Sequence, residues 1–347
     1  MAAPLYRRHS AALNVTYLDV ENHALSQGMA LVGTPGGVSQ RENAQGAKFY
    51  VRQYYDHDRT RRDQYIAAAA SEDAEKVVAE WKRRIEEADD LRSSVRLLAR
   101  EGYSVLSPKH LAALAPLSNH GVFEAGAVLV GTHAFEVIVN RLGVRASTFA
   151  TEDIDLARPG KLALEKLPKG GLLEVLRESG IDFVDVPAIN RRDPSTSFKE
   201  KGRSRFTFDL LVPAAGAEIE IRPVPELKAH ATALPYLRYL IARTQTGAAL
   251  SNQGVASVRV PLPERFALHK LIVAQIREGR SDKSAKDLKQ AAVLIAALGE
   301  LQPGALEEAH ASLPTSTRKH VRKSLSMIRG SLAAHPQSWE AVAPFAG

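Results

Sequence analysis

From residue 71 the chain alternates apolar and polar positions with the spacing of a helix. Val77, Val78, Trp81, Ile85, Ala88, Leu91, Val95 and Leu98 recur every three or four residues as far as Gly102, the repeat of an amphipathic helix with one stripe turned to a core. Ser71, Glu72 and Asp73 supply a capping hydroxyl and acids near the positive end of the dipole. The pattern predicts one long helix, or two with a break near Asp89–Asp90, and a further helix over 108–116. Between 125 and 260 the period shortens. Strand-like runs stand at AVLVG (127–131), DIDLA (153–157), DFVDVP (182–187), RFTFDLLVP (205–213), AEIEIRP (217–223) and ASVRVP (256–261). Helices fit between them at 133–142, closed by Gly143, and 171–179, closed by Gly180. From 262 the helical period returns, at 262–278, 283–298, 303–311, 315–329 and 336–343, with Pro303 and Pro314 at boundaries. Residues 1–66 are rich in glycine and polar residues and read as irregular, with short strands or helices that the pattern does not place. The expectation is an α+β chain in three parts: a mixed or helical region over 1–120, a small mixed-sheet core over 121–261, and a helical domain over 262–347.

Composition narrows what such a chain can do. The 347 residues include no cysteine, which removes disulfide frameworks, cysteine nucleophiles, thiolate zinc sites and iron–sulfur ligation. No stretch reaches the roughly 20 apolar residues of a membrane span, and the start MAAPLYRRHS has no apolar run behind its basic residues. The expectation is a cytoplasmic protein with no membrane partner. Lys and Arg number 46 against 39 Asp and Glu, a net charge of +7, modest for this length. Part of it is clustered. Lys48, Arg52, Arg59, Arg61 and Arg62 interleave with Tyr50, Tyr54, Tyr55 and Tyr65, and Arg318, Lys319, His320, Arg322 and Lys323 form a second group. Cations among aromatics suit phosphates and stacked bases; a solvated face over packed tyrosines has the same composition.

The chemistry concentrates in 125–157, AGAVLVGTHAFEVIVNRLGVRASTFATEDIDLA. Side chains alternate across a strand, so Asp153 and Asp155 share one face while Ile154 and Leu156 point into the core. Two carboxylates held in this way repel, and a hard divalent cation, Mg²⁺ first, is the usual compensation. Upstream, Gly131 and Thr132 end a buried strand where a helix begins. Thr132 can cap that helix, and its free N–H groups can cradle a phosphate. In RFTFDLLVP, Phe206, Phe208, Leu210 and Val212 form one face, leaving Asp209 on the other with Thr207 and Leu211. A carboxylate in so apolar a strand needs a metal or an Arg partner. A bare D-x-D or a Gly–Thr turn is common; the succession of strand, Gly–Thr, helix, D-x-D strand and third acid is what carries the argument.

At these residues the chain resembles the DNA polymerase β-like nucleotidyltransferase superfamily, and more narrowly a bacterial nucleotidyltransferase-like family distantly similar to the AbiEii toxins. GTHAFEVIVNRLGVR, TEDIDLA, RFTFDLLVP and PERFALHKLIVAQ carry the likeness, over roughly 120–300. It implies a nucleotidyltransferase core over 121–261 that takes an NTP, with Gly131 and Thr132 on the triphosphate. It also implies that Asp153, Asp155 and Asp209 hold two Mg²⁺ ions, or Mn²⁺ in their place, for in-line attack of an acceptor hydroxyl on the α-phosphate. Thr132 stands where the superfamily usually has Ser and keeps the hydroxyl; His133 has no derived role. From the AbiEii likeness Lys270 would neutralise the triphosphate and Asp287 would orient it or the acceptor. Read from the residues alone, both are exposed charges on amphipathic helices, where Lys283, Lys286, Asp287 and Gln290 share a face, and His269 is a packed or half-exposed histidine. The segment FKEKGRSRF brings Lys199, Lys201, Arg203 and Arg205 to the strand of Asp209, to grip phosphates or to remain a solvated hairpin. By analogy with the toxins the acceptor is RNA, such as a tRNA end. A protein side chain or a small molecule is the alternative acceptor, and a non-catalytic nucleic-acid-binding protein the alternative function.

Overall fold

The computed structural model describes residues 3–347 apart from 148, 150, 165, 166, 189, 191 and 278–280. Strand β1 (Tyr6–Arg8) leads into α1 (Ala11–Ser26), which is capped by the Ser10 hydroxyl accepting from the Leu13 N–H at 3.4 Å. Strands β2 (Gly37–Glu42), β3 (Lys48–Tyr55) and β4 (Arg61–Ala68) form a separate antiparallel sheet. Residues 1–66 are thus far more regular than their pattern suggests. Helix α1 has no single apolar stripe, because apolar residues surround it: Tyr17, Val20 and Ala24 are buried while Val15, Leu18 and Leu25 are exposed. Helix α2 (Ala74–Arg100) runs unbroken through Asp89 and Asp90, both exposed, so their charges face water and interrupt nothing. It starts three residues after Ser71, with Asp73 at the cap position making no side-chain bond. Helix α3 (Pro108–Asn119), capped by Ser107, passes its expected end with Pro116 inside it.

The core then runs β5 (Val128–Val130), α4 (Gly131–Arg141), β6 (Val144–Ala146), β7 (Asp153–Ala157), α5 (Leu172–Arg177) and β8 (Phe183–Asp185). It continues with β9 (Ser197–Glu200), β10 (Thr207–Pro213), β11 (Glu220–Val224), β12 (Ala229–Leu234), α6 (Leu237–Ile241), β13 (Thr244–Ser251) and β14 (Gly254–Pro261). The main sheet has the order β11-β12-β10-β7-β5, with β10 parallel to both β7 and β12 and β5 antiparallel to β7. Along its other edge β10 pairs β9 through Thr207–Asp209 and β12 through Leu211–Pro213. Strands β9, β12 and β13 fall outside the strand-like runs of the sequence. The fold class is α+β, as expected.

Helices α7 (Pro263–Ile276), α8 (Ser281–Leu301), α9 (Ala305–Ala311), α10 (Arg318–Ile328) and α11 (Pro336–Val342) complete the chain. Residue 278, the expected end of the first of them, lies outside the described residues. Helix α8 packs along α7, and α10 rests on α7. One hydrophobic cluster joins Leu114 and Leu117 of α3, Ile154 and Leu156 of β7, Phe208 of β10, Phe266 and Leu271 of α7 and Leu294 of α8. That shared core holds the helices against the sheet and sets the walls of the site.

Candidate active site

Strand β5 ends at Val130, whose register partner on β7 is Asp155. Helix α4 starts at the next residue, Gly131, at φ 71°. A Cβ built on Gly131 would lie 2.1 Å from Asp155 Oδ2, so glycine is required twice, for the left-handed backbone and for the close approach of the carboxylate. Thr132 follows in the first turn, buried. The cap position is Val130, with no side-chain bond, so Thr132 belongs to the helix rather than capping it.

Asp153 and Asp155 are half-buried on one face of β7, and Ile154 and Leu156 are fully buried on the other. On β10, Asp209 is the register partner of Asp155, and Thr207 that of Asp153. The Thr207 hydroxyl donates to Asp153 Oδ1 at 2.9 Å. Parallel pairing therefore brings three carboxylates from residues 153, 155 and 209 onto one patch. Electrostatics reflect the crowding. Burial and then the Asp209 charge push the Asp155 carboxyl up to about 6, against a pull downward from Lys270. Asp209 is also raised, by burial first and by Asp153; the Ser197 hydroxyl and Lys283 act against this. Among the described residues Asp209 has no Arg ion pair, the arrangement that would have made it purely structural.

Helices α7 and α8 bring the opposite charge. Lys270 and Asp287 are buried rather than exposed, with Lys270 Nζ donating to Asp287 Oδ1 at 2.6 Å. Arg277 Nε lies 3.2 Å from Asp287 Oδ2. Both oxygens of Asp287 thus lie against cations of the chain, one against Lys270 and the other against Arg277. Lys283 acts on Asp209, and Lys286 is lowered by burial and then Lys270, with Asp287 and Asp153 countering. In the sequence these two lysines share a helix face with Asp287, three residues apart, and that spacing beside Asp287 is the signal they carry. The FKEKGRSRF segment is different. Lys201 pairs with Asp182 at 3.6 Å, both exposed, and Arg203 and Arg205 are exposed on the β9–β10 turn. Among the described residues none of the three pairs with an aspartate of the site.

His133 gains surroundings that the sequence did not reveal. Its Nδ1 lies 2.8 Å from Glu136 Oε2, its ring packs 4.2 Å from His110, and both residues are buried. Burial, then His133, pushes His110 down to about 3. His269 is likewise pushed down to about 3 by burial and Lys270, so it is neutral at physiological pH. In the N-terminal basic–aromatic group Arg52 is buried, donating to the carbonyls of Val32, Thr34 and Pro35 and to Gln64, and Arg62 pairs with Asp56 at 2.8 Å. Those two cations are structural.

A cleft of about 450 Å³ between α1 and α2 is lined by Asp19, His23, Glu80, Arg83 and Glu87, but Arg83 is already paired to Glu80 and Glu87. His57, Asp58 and Glu200 converge closely enough for a metal, yet Lys109 Nζ sits 2.7 Å from Glu200 Oε2 and supplies the positive charge there. At the three aspartates the donors are hard carboxylate oxygens crowded on one patch, with Asp155 and Asp209 raised by burial first and then by a neighbouring carboxylate, which is the donor set that suits Mg²⁺. A family model described as Nucleotidyltransferase matches residues 109–314, more than half of the chain and all of this site. No curated protein and no solved structure matches.

Proposed function

Since the chain belongs to that nucleotidyltransferase family, we propose that it transfers a nucleoside monophosphate from an NTP to a hydroxyl of an RNA acceptor. The observation that carries this reading is the register of Asp155 with Asp209, beside Asp153, under the lysines of α7 and α8. Divalent cations held by Asp153, Asp155 and Asp209 would supply charge neutralisation and acidify the acceptor hydroxyl.

The chain's own groups do the rest. The free N–H groups at the start of α4, behind Gly131, meet the phosphates. Lys270, fixed by Asp287, neutralises the triphosphate, and Lys283 and Lys286 line it from α8. Asp209 is the carboxylate beside the acceptor; with a raised proton affinity it takes the hydroxyl proton as the oxygen attacks. The new bond joins the acceptor oxygen to the α-phosphorus, the α–β phosphoanhydride bond breaks, and pyrophosphate leaves.

The test is incubation of the chain with each α-labelled NTP, Mg²⁺ and total RNA, next to a protein lysate fraction and small alcohols. Label in RNA, with pyrophosphate released and lost in Asp155→Asn, is expected. Label in the protein or small-molecule fraction alone would replace the acceptor, and NTP binding without labelling of any fraction would leave a non-catalytic binding protein.

A further inference from the structure

From Ala309 to Trp339 the sequence contains no Asp or Glu, but has Arg318, Lys319, Arg322, Lys323 and Arg329. Five of the net seven positive charges of the chain are therefore concentrated here. Helix α10 orders them. At 100° per residue, Arg318, Arg322, Ser326, Lys319 and Lys323 fall within an arc of about 140°, and all five are exposed. Val321, Ser324, Leu325 and Ile328 occupy the opposite side and are buried. Ser324 fixes that side, its hydroxyl donating to the Leu271 carbonyl at 2.7 Å and accepting from Gln275 at 2.8 Å. Among the described residues Arg318, Lys319, Arg322 and Lys323 have no acidic partner. Arg329, just beyond, lies over the Trp339 ring at 5.2 Å.

We infer that this face of α10 binds the phosphate backbone of the RNA acceptor and delivers it to the site, an inference that rests on the transfer reading above. Charge complementarity selects the occupant: a face with four cations and no acid suits a polymer with one negative charge per residue. From Arg318 to Lys323 the row runs about 8 Å along the helix axis, enough for about two successive phosphates of one strand. A membrane is disfavoured, because the apolar stripe that would enter it is buried against α7. Position also supports RNA. Helix α10 rests on α7, the helix that carries Lys270, whose charge acts on Asp155, so the basic helix and the candidate site share one element.

The test is fluorescence anisotropy of a labelled single-stranded RNA with the full chain, with neither NTP nor Mg²⁺, across a salt series. Arg322→Gln/Lys323→Gln should weaken binding by about tenfold and flatten the log–log salt dependence by about 1.4, two contacts at ~0.7 each. Lys76→Gln/Lys82→Gln on α2, both exposed, removes the same charge and should change little. Equal losses in the two variants, no loss in either, tighter binding to DNA of the same sequence, or α10-dependent binding to anionic phosphatidylserine vesicles instead of RNA would each overturn the inference. Failure of the transfer reading looks different: RNA bound through α10 but never labelled. Conversely, labelled RNA whose KM is unchanged by Arg322→Gln/Lys323→Gln sinks the α10 role alone.

Discussion

At the scale of single residues, the site depends on how closely two of them approach. Gly131 can meet Asp155 only because it has no side chain, so Gly131→Ala should displace the carboxylate and cut transfer on the order of 10²-fold or more, with a smaller effect on stability. Steady-state labelling together with a thermal melt checks this. Asp153→Ala, Asp155→Ala and Asp209→Ala should each abolish transfer and keep the melt cooperative; full activity in any one of them would remove it from the mechanism. The raised Asp155 group also sets a pH dependence. Its folded value, about 6, exceeds the ordinary 3.8, so the folded chain binds the extra proton, and this contribution is present below about pH 4 and lost as pH rises through about 6. Mg²⁺ relieves the same repulsion, so added Mg²⁺ should raise Tm more at about pH 7.5 than at about pH 5, and Asp155→Asn should remove most of the difference. An equal shift at both values would argue against cation binding here. The three aspartates were legible as candidates from the succession of strand, Gly–Thr, helix, D-x-D strand and a third acid set in an apolar strand. Asp155 touching Gly131 was not, because that contact joins β5 to β7.

Elements decide which charges meet. Lys270 and Asp287 were legible as a Lys on one helix and an Asp on the next, but not as a buried pair, because the periodicity of either helix alone puts them near an edge. Packing α8 along α7 buries both. Lys270→Met should lower NTP affinity several-fold while the chain stays folded, whereas Asp287→Ala, which strands a buried ammonium, should destabilise by about 3–5 kcal/mol. Denaturant midpoints and NTP titrations separate the two effects, and unchanged stability in Asp287→Ala would show that Asp155 alone suffices to hold the lysine. Lys283→Ala and Lys286→Ala should raise the KM for NTP by about tenfold each with less effect on kcat. Elsewhere the pattern misled because neighbours supplied what it lacked: α1 is apolar on several sides, and β9 and β12 are short strands whose partner, β10, lies far away in sequence or behind a turn.

The whole molecule is tied end to end. Leu5 N–H donates to His335 Nε2 at 3.0 Å, Tyr6 Oη donates to Glu300 at 2.6 Å, and His335 Nδ1 lies 2.7 Å from the same carboxylate. Tyr6→Ala removes a buried ring and leaves Glu300 short of a donor, so a loss of about 3–5 kcal/mol is expected. It should appear in the fluorescence transition of Trp339, near this joint, in a Trp81→Phe background; a shift under about 1 kcal/mol would mean the ends are held without it. The sequence alone determined the α+β class, the spans of most core strands and C-terminal helices, and the three acids, because these follow from local periodicity and from the cost of a carboxylate in an apolar strand. It also determined where positive charge collects. Only the tertiary structure decided which acid pairs with which, that Asp287 is bonded to Lys270, and that the charge of Lys283 reaches Asp209. It also decided that Arg52 is buried while the cations of α10 stay on the surface. Those outcomes depend on contacts between residues distant in sequence, where register and helix packing, rather than local propensity, set the distance between charges.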